Sequence, residues 1–230
     1  MRLVAWNVRH GGGRRSAAIA DWIGRQQPDI AVLTEYRQRS SGVTLPSALA
    51  RIGLTHQMAS TKIPRQNGVM VASRLPFRGV LPATFDAAYE HRCIRATFND
   101  IEMYCLYFPN KQAKEALFDF LLSLPEDTCA RSTLLVGDFN TGRHFEDEPG
   151  KILMCVEQFE ALLAAGWVDA WRARHPRARE FTWYSHMGGG FRLDHALMSP
   201  SLAAACKVIT YDHSVREQGL SDHSAIIVEW

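Results

Sequence analysis

The stretch Ser132-Thr133-Leu134-Leu135-Val136-Gly137-Asp138-Phe139-Asn140 runs from an apolar strand straight into a carboxylate and a carboxamide. A short apolar run without alternation suits a strand covered on both faces. The same arrangement recurs along the chain. Asn7 ends the run 3–6, Glu35 ends 30–34, Asp194 interrupts 191–198, and Asp222 and His223 open 224–228. One oxygen-bearing side chain at a strand end is usually just solvated. Repeated at the same kind of place, such residues point to strand ends that converge on a shared pocket.

Working outward, β-rich runs fall at residues 2–8, 29–35, 68–72, 92–98, 102–108, 132–137, 191–198, 207–211 and 223–230,. Stretches of helical period lie between them at 16–27, stopped by Pro28, at 111–124, stopped by Pro125, and at 151–165, closed by Gly166,. In the last, Ile152, Cys155, Val156, Phe159, Leu162 and Leu163 recur at three- and four-residue spacing and read as the face of a core helix without chemistry,. The pair Asn99-Asp100 joins two strands as a hairpin turn, which implies antiparallel pairing there,. The mixture predicts an α+β fold, sheet packed on sheet with helices outside. No repeat or linker divides the chain, so residues 1–230 are expected to form a single domain,.

The 230 residues are 47% hydrophobic and 22% charged, which argues against disorder,. A formal net charge of +2 names no partner,. Of the 26 basic residues 21 are arginine, whose planar fork suits phosphate, although genomic base composition produces the same bias,. Cys93, Cys105, Cys129, Cys155 and Cys206 form no CxxC pair and suggest neither a disulfide framework nor a thiolate zinc site,. The chain shows no signal-peptide core and no membrane-length apolar run, so a reducing cytoplasm is the expected compartment,.

A pocket crowded with carboxylates is costly unless a cation neutralises it. With oxygen donors only and no HExxH, the hard ions Mg²⁺ or Mn²⁺ fit better than Zn²⁺. Magnesium commonly takes one or two carboxylates together with a substrate phosphate, which leads to phosphoryl chemistry. The glycine runs 11–13 and 188–190 lack the features of a P-loop or a dinucleotide fingerprint, which favours hydrolysis over nucleotide-fuelled transfer,.

In order along the chain stand TrpAsnVal (6–8), LeuThrGlu (33–35), TyrPheProAsn (107–110), GlyAspPheAsn (137–140), ThrTrp (182–183), ArgLeuAspHis (192–195) and SerAspHis (221–223). With these motifs the chain resembles the endonuclease/exonuclease/phosphatase superfamily, in particular its exodeoxyribonuclease III and apurinic/apyrimidinic endonuclease branch. The resemblance implies a four-layer αββα sandwich with the active site at one end of the two sheets. It implies Glu35 as principal metal ligand, with Asn7 and Asp222 completing the ion's surroundings directly or through water. Asp138, held by Asn140, would orient and deprotonate the attacking water. His223, paired with Asp194, would place an imidazolium against a phosphate oxygen, and Tyr107 and Asn110 would donate to the phosphate or the leaving oxygen. Trp183, Phe191 and Leu193 correspond to the slot that holds an unstacked or missing base in DNA-repair members. They also fit a purely apolar core role. Arg192 and Arg143 are candidates for phosphate contact or for solvated surface.

Two departures stand out. Repair endonucleases often carry an acidic or amide residue two places after the first Asn, where this chain has Arg9, followed by His10 and three glycines. The segments after Asn110 and between Trp183 and Arg192 are short, which weakens the expectation of abasic-site specificity relative to phosphodiester hydrolysis itself. The expected partner is therefore nucleic acid as substrate, DNA ahead of RNA, acted on by a monomer that binds no membrane. The alternatives are a family phosphatase or phosphodiesterase for RNA, a nucleotide, an inositol phosphate or a lipid head group, and a silent binding module on the same scaffold.

Overall fold

The computed structural model describes residues 1–38, 44–82 and 88–230. Its strands are β1 (Arg2–Asn7), β2 (Ile30–Tyr36), β3 (His56–Ala59), β4 (Gly68–Ser73), β5 (Arg78–Val80), β6 (Cys93–Thr97), β7 (Glu102–Tyr107), β8 (Thr133–Asp138), β9 (Val168–Asp169), β10 (Trp183–Tyr184), β11 (Gly190–Phe191), β12 (Asp194–Met198), β13 (Val208–Asp212) and β14 (Ala225–Glu229). The helices are α1 (Ser16–Gln26), α2 (Leu45–Arg51), α3 (Glu115–Leu122), α4 (Asp127–Ala130), α5 (Val156–Ala164), α6 (Ala170–Arg174), α7 (Pro200–Ala205) and α8 (Ser214–Glu217).

Two six-stranded mixed sheets result, in the orders β13-β14-β1-β2-β4-β3 and β5-β6-β7-β8-β12-β9, with β10 and β11 as a separate hairpin. Each sheet has one parallel pair, β1 with β2 and β7 with β8, among antiparallel neighbours. The hairpin through Asn99 and Asp100 pairs Thr97 with Glu102 as the turn signal required.

Strand periodicity explains the continuous apolar runs. Leu134 and Val136 face the other sheet, sharing one core with Leu3, Ala5, Val32, Val71 and Val228. Leu135, between them, points outward to Phe118, Leu121, Phe159 and Leu162 of α3 and α5. On the opposite side Val4, Trp6, Ala31 and Leu33 meet Ile19, Trp22 and Ile23 of α1 and Leu49 of α2. Helix, sheet, sheet, helix are thus the four layers, and neither face of a central strand needs polar residues.

Three expected elements differ. The run 191–198 is broken, because β11 pairs in the hairpin while Arg192 and Leu193 leave it before β12 begins. The helix expected from 111 opens as a tight 3₁₀ turn over Lys111–Lys114, and α3 starts only at Glu115. The helix expected over 151–165 is α5 alone. Residues before it are held as a loop by Glu148, whose carboxylate accepts the backbone N–H groups of Ile152 and Leu153 at 2.8 and 3.0 Å. Ile152 is consequently 70% exposed, and the core face is carried by Phe159 and Leu162. The cysteines are all unpaired.

Candidate active site

Strand register assembles the site. Asp138 closes β8 directly opposite Tyr107 of parallel β7 and Asp194 of antiparallel β12. Gly137 makes this approach possible: its φ is 139°, and a Cβ there would lie 2.0 Å from the carbonyl oxygen of Leu106. In the other sheet β1 ends at Asn7 beside Thr34 of β2. There the β2–β4 register shifts between Thr34 and Tyr36, and Glu35 takes a left-handed φ of 53°. Such a bulge re-aims a side chain, and Glu35 lines the same cavity as Asp138,. Asn7 joins the sheets, donating through Nδ2 to Asp138 Oδ2 at 2.9 Å.

The carboxylate of Asp138 is fully enclosed in this framework. Its Oδ1 accepts the backbone N–H of Asn140 at 2.9 Å, and Asn140 Nδ2 reaches Oδ2 at 3.3 Å while also donating to the carbonyl oxygen of Phe108 at 2.8 Å. Burial, followed by the neighbouring charge of Asp194, pushes Asp138 up to about 7 despite His223 and these donors,. His223 Nδ1 lies 2.8 Å from Asp194 Oδ2. Burial alone would lower the imidazole, but Asp194's charge and hydrogen bond outweigh it and raise His223 to about 10. The ring is thus a cation at neutral pH, with Nδ1 occupied and Nε2 left for the cavity it lines.

Around Glu35 the contacts are looser. Tyr107 Oη donates to Oε1 at 3.4 Å, receives Asn67 Nδ2 at 3.3 Å, and lies in a ring stacked under the Arg92 guanidinium at 4.6 Å. Burial and then Glu35 raise Tyr107 to about 12, so it stays a donor. His10 approaches Oε2 with both its backbone N–H and its ring Nδ1, each at 2.9 Å. Arg9 Nε lies 3.8 Å from Asp222 Oδ2, and its backbone N–H donates to Asn7 Oδ1 at 2.9 Å.

These groups share a cavity of about 390 Å³ with Asn110, Asp222, Trp183, Phe191 and Leu193, and with Ile152 and Leu153. Trp183 and Phe191 lie tilted at 5.7 Å between centroids, so one wall is apolar and the other anionic. Ten of the expected site residues therefore line one cavity, while Asn7 and Asp194 stand one hydrogen bond behind it.

Arg192 does not. It is fully buried, its guanidinium bonded to Asp147 Oδ1 at 2.7 Å and to Asp169 Oδ2 at 2.5 Å, and no atom is free to meet a phosphate. Arg143 is committed to Glu160 at 2.8 and 3.0 Å. His195 of the same motif is buried against Phe139 and Phe159, with Nε2 on the carbonyl oxygen of Thr141 at 2.7 Å. Sequence reasoning missed Ile152, read as part of a helix face, Leu153, placed inside the same helix, and His10, whose only signal was its place three residues beyond Asn7.

The donor set suits a hard divalent ion. Glu35 and Asp222 offer carboxylate oxygens to one cavity, and Asn7 Oδ1 has a second lone pair beyond the one Arg9 uses,. Asp138, Asp194 and His223 also lie close enough to hold an ion, with ligand atoms within 4.8 Å of one another. Asp138 is already held by Asn7 and Asn140 and Asp194 by His223 Nδ1, while His223 Nε2 is left for the cavity, an arrangement suited to handling protons instead.

The endonuclease/exonuclease/phosphatase family matches residues 4–223 of the chain. The chain is 23% identical over 255 residues to a DNA-(apurinic or apyrimidinic site) endonuclease of Dictyostelium discoideum, covering 98% of this chain and 69% of that protein. An AP endonuclease from Archaeoglobus fulgidus has the same fold, with a TM-score of 0.86 at 22% identity over 100% of this chain and 99% of that one. The 3′ phosphatase NExo from Neisseria, solved with a product DNA hairpin, superposes with a TM-score of 0.84 at 27% identity over 100% and 99% of the two chains.

Proposed function

Because the chain belongs to the endonuclease/exonuclease/phosphatase family, we propose that it hydrolyses phosphate ester bonds of DNA in this cavity, aided by Mg²⁺ or Mn²⁺ held by Glu35, Asn7 and Asp222. The observation that carries this reading is Asp138, a buried carboxylate pushed to about 7 in the cavity that Glu35 and Asp222 also line. A base with a pKa near the working pH combines availability with basicity.

When bound, the cation supplies Lewis-acid polarisation of the ester and charge neutralisation. Asp138 takes the proton from the water that attacks phosphorus. Asn7 and Asn140 fix the carboxylate's orientation, so little reorganisation accompanies the transfer,. His223, charged and aimed by Asp194, donates from Nε2 to a non-bridging oxygen where charge builds,. Tyr107 and Asn110 donate to the phosphate or the leaving oxygen, and Trp183, Phe191 and Leu193 give the sugar or base an apolar wall,.

Labelled abasic, nicked, blunt and single-stranded oligonucleotides, and a 3′-phosphorylated one, test the proposal with Mg²⁺, with Mn²⁺ and with chelator. Cleavage or dephosphorylation that disappears with chelator is expected. Turnover of RNA, a nucleotide or an inositol phosphate with indifference to every DNA would replace DNA as the substrate.

A further inference from the structure

Five consecutive residues hold left-handed backbone: Arg9, His10, Gly11, Gly12 and Gly13, with φ of 48°, 54°, 73°, 73° and 56°. For Arg9 and His10 this costs on the order of 1–2 kcal/mol each, so neighbouring contacts must enforce it. Arg15 does so from below, its guanidinium donating to the carbonyl oxygens of Arg9 at 2.7 Å, of Val8 at 3.3 Å, and of Leu220 in the segment that carries Asp222. Gly11 permits the turn to lie against the end of β2, since a Cβ there would stand 2.8 Å from Arg37 N. The turn folds His10 back over Glu35, which the β2 bulge has turned toward it.

Glu35 Oε2 takes both the backbone N–H and the ring Nδ1 of His10, each at 2.9 Å, so the turn holds the imidazole directly against this carboxylate,. The His10 side chain is 59% exposed, where an isolated ion pair contributes little,. Two donors on adjacent corners of an octahedral shell, each about 2.1 Å from the ion, stand about 3.0 Å apart. The 2.9 Å between Nδ1 and Oε2 is a hydrogen-bond length, and it is also the length of that edge,.

We propose that His10 is a nitrogen donor to the cation held by Glu35, making a mixed nitrogen and oxygen site that selects Mn²⁺ and later first-row ions over Mg²⁺. The proposal rests on the reading of Glu35 as that cation's ligand. Imidazole gains little from hard, tightly hydrated Mg²⁺ and increasingly more along the first-row series. The arginine at position 9 adds a positive charge beside Asp222, which disfavours a second cation there,.

Calorimetric titration of the metal-free protein with Mg²⁺, Mn²⁺ and Co²⁺, together with pulsed electron paramagnetic resonance of bound Mn²⁺, tests this. The wild type should bind one Mn²⁺ about tenfold or more tighter than Mg²⁺ and show nitrogen-14 coupling of an imidazole. His10→Gln should lose the coupling and most of the preference. His10→Asp should lose the coupling while binding Mg²⁺ at least as tightly as the wild type. An unchanged preference and no imidazole coupling, with binding still abolished by Glu35→Gln, overturns the role of His10 alone. Binding that survives Glu35→Gln overturns the Glu35 reading as well.

Discussion

A carboxylate that must take a proton from water near neutrality has to be held above its ordinary range, and burial beside Asp194 raises Asp138 to about 7,. As the proposed base Asp138 acts ionised, so cleavage should rise with pH along a limb near 7, displaced downward by any nearby bound cation,. In the proposed reaction His223 acts protonated, and with its pKa raised to about 10 activity should fail only as pH approaches that value. Asp194→Asn removes the charge that sustains the imidazolium, so the alkaline limb should fall toward the ordinary histidine range of about 6.5. A profile of kcat/KM against pH checks both, and an unmoved alkaline limb in Asp194→Asn would separate Asp194 from His223. At this scale the acidic residues were legible because each breaks an apolar run. Arg192 was misplaced because a motif fixes position along the chain and not the direction in which a side chain points. Its partners Asp147 and Asp169 come from segments with no distinguishing pattern.

Elements carry the next layer of dependence. Gly137 lets β8 approach β7 so that Asp138 faces Tyr107, and the 2.0 Å clash of a Cβ with Leu106 O involves backbone that cannot step aside. Gly137→Ala should therefore cost about 3 kcal/mol or more in urea unfolding, with strained φ adding to the overlap. A loss below about 1 kcal/mol would show that the strand pair is more pliant than its register implies. Most central strands could be read from the sequence, since both faces are buried and their runs are uniformly apolar. The short edge strands β3 and β5 could not, because they bury too little to leave a pattern. Residues 151–155 deceived the helical periodicity: hydrogen bonds to the buried carboxylate of Glu148, absent from any local rule, hold that segment as a loop. The same loop brings Ile152 and Leu153 to the cavity.

Across the whole molecule, the ionic cluster of Arg192, Asp147 and Asp169 ties the loop after β8, β9 and the start of β12 together beneath the apolar wall of the cavity. Burial would raise both carboxyls, but the charge of Arg192 overcomes it and holds them below the usual range. Their contribution to stability is complete above the unfolded carboxylate range of about 4 and is lost as pH falls from there through the lower folded values. Arg192→Met leaves two buried carboxylates without their main partner and should cost about 3–5 kcal/mol at pH 7. That deficit should shrink as pH drops toward about 3, and urea midpoints at both ends give the answer. A variant as stable as the wild type at pH 7 would contradict the assignment. The layered architecture was foreseeable from the order of strands and helices, whereas the ionic cluster depends on three segments meeting in space.

Single-turnover cleavage by Asp138→Asn, at saturating cation and with oligonucleotide affinity measured in parallel, bears most directly on the chemistry assigned to the converging strand ends. The rate should fall by about 10²–10⁴ while the dissociation constant changes by less than about threefold. Cleavage at the wild-type rate would show that another group accepts the proton.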